Sequence, residues 1–285
     1  MNINKFTPYP NTLQSFGVAG LTILSMLIFT PLNLYFNSVL GKGPSMLIYY
    51  CLSMLCPIFI FHALKKKNEG EVSYDFRLKD PLLTIALIIA TLTILNVITA
   101  PSTSVLPVPE FVKELFKELY DETKNVYGFV SIAIAAPVLE EILFRGIILD
   151  GLLKKYKPMK AILISSLLFG IVHLNPWQFI GAFQIGLFIG YVYYHTRNVG
   201  YCILIHLSNN LTAALIMTFV EEEIALADDL YTSYGGVENF YTIFIISLVL
   251  MIPTGIYLFN RFKKKSEKAS FNLLEREAEI TEDSQ

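Results

Sequence analysis

Residues 138–146 read VLEEILFRG, and apolar sequence runs on both sides of them, VYGFVSIAIAAP before and IILDGLL after. Two carboxylates and a guanidinium in such a run need a reason, because an ionised side chain at the centre of a membrane helix costs on the order of 2.5–3.5 kcal/mol on insertion scales. Part of the reason is local. Glu141 and Arg145 are four residues apart, so they stack on one helix face and can pair. Glu140 points about 100° away from that face and is left to act on something else. Pro137, just upstream, removes a helix hydrogen bond and predicts a kink there.

Two further apolar runs carry groups that handle protons or donate hydrogen bonds. LLFGIVHLNPW holds His173 four residues after Phe169, and YCILIHLSNNL holds His206 and Asn210 four apart on one face. At 1.5 Å rise per residue, Glu140 counted from Lys154 and His173 counted from Lys160 both lie about 20 Å in, and His206 counted from Gly200 about 10 Å. These depths allow one shared cavity. His62 and His195 sit at the ends of apolar runs beside basic loops and read as packing residues.

The elements that must carry these groups follow from composition. The chain has 285 residues, of which 54% are hydrophobic and 16% charged. A soluble domain carries about 25% charged residues. The excess of apolar sequence predicts an all-α polytopic membrane protein. Eight stretches approach the about 20 apolar residues that a crossing helix needs: 13–40, 45–64, 81–100, 126–150, 159–174, 177–195, 199–220 and 239–260. The fifth is the shortest. Before the fourth, PEFVKELFKELYDETKN repeats Phe111, Leu115, Phe116 and Leu119 at helical spacing, which predicts a short interfacial amphipathic helix or a lid.

Lysine and arginine orient the spans. With the N-terminus in the cytoplasm, Lys5, Lys65, Lys66, Lys67, Arg77, Lys79, Lys154, Lys155, Lys157, Lys160, Arg197 and the basic residues from Arg261 onward all fall inside. Only Lys42, Lys113, Lys117 and Lys124 fall outside, beside the acidic loop EEEIALADDLYTSYGG. Both termini are therefore expected in the cytoplasm and the protein in the plasma membrane. Residues 1–265 read as one integral membrane domain, with the chemistry in 125–215; residues 266–285 read as a polar, mobile tail. Cys51, Cys56 and Cys202 lie in apolar runs without CxxC spacing, which speaks against a disulfide framework or a cysteine zinc site. A net charge of -2 and no basic face with interleaved aromatics leave no role for nucleic acid.

EEILFR, FGIVH and HLSNN reproduce, in order and spacing, the motifs EExxxR, FxxxH and HxxxN. Over residues 125–215 the chain thus resembles the CPBP intramembrane proteases, the family of the CAAX prenyl endopeptidases and the bacterial Abi-type proteins. The resemblance implies that Glu140 is a general base toward a water that attacks a peptide carbonyl. It implies that His173 holds and polarises that water, and that His206 and Asn210 donate to the oxyanion. Glu141 and Arg145 would support the base, and Phe169 would line the site. The expected substrate is a peptide or membrane protein, lipid-modified ones included, met within the bilayer. No cofactor is favoured. The alternative is a zinc ion on Glu140, His173 and His206, although no HExxH is present. Two rival readings keep the buried charges but not the hydrolysis: an inactive peptide-binding or immunity scaffold of the same fold, and a proton-coupled transporter.

Overall fold

The computed structural model describes residues 7–283, with side chains through Lys265 and at Glu267. It is helical throughout, with no strand among the described residues. The helices are α1 (Thr12–Leu40), α2 (Lys42–Glu69), α3 (Pro81–Thr103), α4 (Glu110–Thr123), α5 (126–153), α6 (Pro158–Ile171), α7 (Pro176–Thr196), α8 (Val199–Phe219) and α9 (Val237–Asp283). Single-turn helices Glu222–Ala225 and Leu230–Ser233 punctuate the loop between α8 and α9. Among the described residues, five helices are long and apolar enough to cross a membrane: α1, α2, α3, α8 and the Val237–Lys265 part of α9. Helix α6 is apolar but only 14 residues long. Lys5 and the last two residues of the expected tail lie outside the described residues, as do the side chains of 268–283.

Local sequence accounts for the ends of the elements. Asn11 caps α1 in a reciprocal box with Gln14, Asp80 caps α3 ahead of Pro81, and Asn198 caps α8 through the Tyr201 amide. Helix α7 starts with Pro176 behind an Asn175 cap and ends at Arg197 in the left-handed region (φ 52°). Between α6 and α7 the chain reverses through Leu174, also left-handed at φ 54°.

Helix α5 is the axis of the bundle. Leu143, Phe144, Ile147, Ile148, Leu149 and Leu152 are all fully buried, so this stretch has no lipid-facing side. Helices α2, α6, α7 and α8 pack around it. A helix apolar on every face belongs at the centre of a membrane bundle. The outer helices show the converse, with Leu27, Ile28, Val249 and Ile252 exposed, as a lipid-facing belt requires.

Charge collects at the two ends of the bundle. At one end buried Lys65 reaches the Tyr9 carbonyl at 3.0 Å and Asp150 at 2.8 Å, and Lys154 bridges Glu69 at 2.8 Å and Asp150 at 2.6 Å. Arg197 lies 3.6 Å from Asp150, and Arg261 pairs with Asp80. At the other end Lys42 meets Glu122 at 3.1 Å, while Lys113 meets Asp228 and Lys117 meets Glu222, each at 2.6 Å. Hydrogen bonds donated to those two carboxylates hold the Lys113 and Lys117 amines above their ordinary range. Among the described residues, these ion pairs join segments that the basic-residue pattern assigns to the same side.

Helix α4 forms where the repeat predicts a helix, but its packed face is turned. Val112 and Tyr120 are buried, Phe116 and Leu119 half-buried, and Phe111 and Leu115 exposed. The turn follows from anchoring: Tyr120 donates to the Val220 carbonyl (3.1 Å) and Lys124 to that of Thr218 (2.9 Å).

Candidate active site

Helix α5 is not a regular α-helix. Ser131–Ala135 and Ile142–Leu149 are π-helical, one stretch before and one after the Glu140–Glu141 pair. Such widened turns re-aim side chains and recur at functional sites. In the first, the Ala136 amide bonds the Ser131 carbonyl, five residues back. By the same step the Ile132 carbonyl would take the amide of residue 137, which is Pro137 and has none. The Asn210 side-chain nitrogen fills that position, donating to Ile132 O at 3.0 Å. Pro137 therefore creates the acceptor that docks α8 onto α5. The Asn210 amide has two N–H groups, so one remains to donate elsewhere.

Glu141 and Arg145 are both fully buried and pair at 2.7 Å, as their spacing predicts. Arg145 also donates to the Gly186 carbonyl on α7 (3.2 Å), and its guanidinium lies 4.6 Å from the centre of the Phe169 ring. At Gly186 a Cβ would meet Ser166 at 3.2 Å and Phe169 at 3.3 Å, so the α6–α7 approach that brings this carbonyl within reach favours glycine. The same Glu141 oxygen lies 2.8 Å from His206 Nδ1. A carboxylate paired with arginine only accepts, so the His206 proton sits on Nδ1 and its Nε2 turns toward Glu140, 3.9 Å from Oε2.

His173 is fixed in a parallel way. Its Nδ1 lies 2.8 Å from the Phe169 carbonyl, which again assigns the proton to Nδ1 and leaves Nε2 as an acceptor. Phe169 stands edge-on to both imidazoles, at 5.2 Å from His173 and 5.4 Å from His206, and to Phe144 at 5.1 Å. One buried ring thus spaces the two histidines. Leu174, the left-handed residue that follows His173, lies in the turn between α6 and α7; a non-glycine left-handed residue costs on the order of 1 kcal/mol.

Glu140, Phe169, His173, His206 and Asn210 line one cavity of about 440 Å³, otherwise mostly apolar, to which Leu119 of α4 and Met217 of α8 contribute. A second cavity of about 180 Å³ on the α1–α2 side also reaches Glu140 and His173. The structure therefore brings together all four candidate chemical residues, with Glu141 and Arg145 behind them. Glu140 Oε2 is buried and has no hydrogen-bond partner among the described residues. Its Oε1 accepts from the Tyr50 hydroxyl of α2. Tyr50 was not identifiable from sequence: it lies 90 residues from Glu140 and belongs to no motif.

No group of three or more His, Cys, Asp or Glu side chains among the described residues is placed to hold a metal ion. Nδ1 of His206 and Nδ1 of His173 are both engaged, which leaves Nε2 as the free nitrogen of each ring. His62 bonds the Tyr74 hydroxyl at 3.0 Å and His195 stacks on Phe262 at 4.7 Å, both away from the cavity. The three cysteines are free.

Residues 122–212 match the model of a family described as type II CAAX prenyl endopeptidase Rce1-like. The matched stretch carries all three motif segments. A protein of Bacillus subtilis (strain 168) named "Putative membrane peptidase YdiL" is 38% identical over 85 residues, which are 30% of this chain and 34% of that protein. The match thus spans about a third of the length of this relative. No solved structure matches the chain.

Proposed function

We propose that this chain is an intramembrane endopeptidase that hydrolyses a peptide bond with a water activated by Glu140. The observation that carries the reading is the unpartnered Glu140 Oε2, aimed into a mostly apolar cavity 3.9 Å from His206 Nε2. The family match over residues 122–212 supports the same activity. A water at the cavity wall gives one hydrogen to Glu140 Oε2 and the other to the free Nε2 of His173. As its oxygen attacks the scissile carbonyl, Glu140 takes the proton, and negative charge develops on the carbonyl oxygen. Asn210 donates its remaining N–H to that oxyanion, and the His206 ring, held by Glu141, stands beside it. Glu140 then returns the proton to the leaving amine, so the carboxylate is regenerated. Glu141, held by Arg145, keeps His206 in register. No step runs through a metal.

The protein spans the bilayer eight times in this reading, with α5, α6 and α7 as the further crossings, both termini in the cytoplasm and α4 at the opposite interface. The grouping of ion pairs at two ends supports that alternation. The substrate is a peptide or membrane-protein segment, lipid-modified ones included, entering from the bilayer. The test is cleavage of a panel of apolar peptides and single-span membrane proteins by the full chain in proteoliposomes, with products identified by mass. Wild type cleaves; Glu140→Gln and His206→Ala do not, and a chelator leaves wild-type cleavage intact. Cleavage that survives Glu140→Gln overturns the assignment. Glu140-dependent proton flux without cleavage identifies a transporter, and tight peptide binding without turnover identifies a scaffold.

A further inference from the structure

Glu140 has two carboxylate oxygens with different fates. One faces the cavity; the other is held by Tyr50, a residue of α2 that lies well outside the motif-bearing segment and its family match. Tyr50 lines both cavities that reach Glu140 and so stands in the wall between them. Its backbone belongs to a different helix from the base, from His173 and from His206.

A glutamate carboxyl group turns about a broad, two-fold terminal torsion, so packing alone fixes its plane poorly. The Oε2 atom has no hydrogen-bond partner of its own, and Glu141 and Arg145 are engaged with each other behind it. Nothing on α5 therefore fixes the plane of the carboxylate. The Tyr50 hydroxyl does, because its single O–H holds one oxygen and so leaves the other directed at His206.

We propose that Tyr50 is a positioning residue for the general base, its hydroxyl clamping Glu140 Oε1 so that Oε2 meets the water. The inference rests on the peptidase reading above. Tyr50 makes no covalent bond and gives up no proton in the reaction. Its contribution is orientation, which acts on the chemical step more than on substrate binding.

The test compares wild type, Tyr50→Phe, Glu140→Gln and the double variant, as full chains in proteoliposomes, on one peptide substrate and by thermal unfolding. Phenylalanine keeps the ring and the cavity wall and removes only the hydroxyl. The expected result is a kcat lowered about 10- to 100-fold at unchanged KM, the loss of one hydrogen bond to a charged group. In the double variant the melting shifts of Tyr50→Phe and Glu140→Gln are non-additive. A Tyr50→Phe enzyme with wild-type kcat overturns the proposal, as does a raised KM with kcat unchanged. Additive melting shifts overturn it too, and that readout needs no activity. A wild type inert on every substrate refutes the peptidase reading and the catalytic role with it, while non-additive melting would still report the contact.

Discussion

Replacing Arg145 with methionine isolates what the buried ion pair does. The guanidinium is fully enclosed, bonds Glu141 at 2.7 Å and the Gly186 carbonyl at 3.2 Å, and covers the Phe169 ring at 4.6 Å. Methionine fills much of the volume but strands the Glu141 charge, with His206 as its one remaining partner. Breaking a buried pair from one side costs about 3–5 kcal/mol. For a chain of this size that corresponds to a drop in melting temperature of roughly 10 °C. Unfolding of the detergent-solubilised chain can be followed through its single tryptophan, Trp177. The double variant Glu141→Leu/Arg145→Met removes both charges, and apolar replacements of similar volume are often neutral. It should regain more than half of the lost stability, short of full recovery because His206 Nδ1 loses its acceptor. Cleavage should not recover with it: an unanchored His206 costs about 10²-fold in kcat. A single variant that loses under about 1 kcal/mol, or a double variant that cleaves at the wild-type rate, would refute the reasoning.

Pro137→Ala supplies the missing amide opposite Ile132 O, in competition with Asn210; melting temperature should hold or rise while kcat falls several-fold, and unchanged kcat would remove Pro137 from the site's construction. Phe169→Leu loses the edge-on contacts to His173 and His206; it should cost about 1–3 kcal/mol of stability and lower kcat, measured by melting and initial rates. Lys65→Met, at the opposite end of α2 from Lys42, removes one of the two lysines that Glu69 and Asp150 share and leaves both carboxylates to Lys154. It should lower the melting temperature by a cost of about 1–3 kcal/mol, the loss of hydrogen bonds from one charged group, with KM unchanged, because that network holds helices together and touches no reacting atom.

Much of the site was legible because its chemistry is written in helical periodicity. Glu141 and Arg145, and Phe169 and His173, meet at the four-residue spacing that puts them on one face. The family resemblance read from EEILFR, FGIVH and HLSNN falls within the matched stretch 122–212. Three features were not legible, each because it depends on contact between distant helices. The Tyr50 hydrogen bond crosses from α2, where an isolated tyrosine in an apolar run gives no signal. Pro137 suggested a kink, whereas the helix answers with π-helical turns and an Asn210 bond that only packing reveals. The α4 repeat marked a helix, but its packed face turns toward Val112 and Tyr120 because α4 is tied to the end of α8 at Thr218 and Val220. The five helices that meet the length and apolarity of a crossing are among the eight runs expected; α6 falls short in length.

The central claim is that Glu140 activates a water and does not itself attack the peptide. A single turnover in H₂¹⁸O, with both the product and the protein analysed by mass spectrometry, tests it most directly. Water attack predicts one ¹⁸O in the new C-terminal carboxylate of the product and an unlabelled Glu140 side chain. An ¹⁸O label in the Glu140 carboxylate, the trace of an acyl-enzyme opened by water, would contradict it.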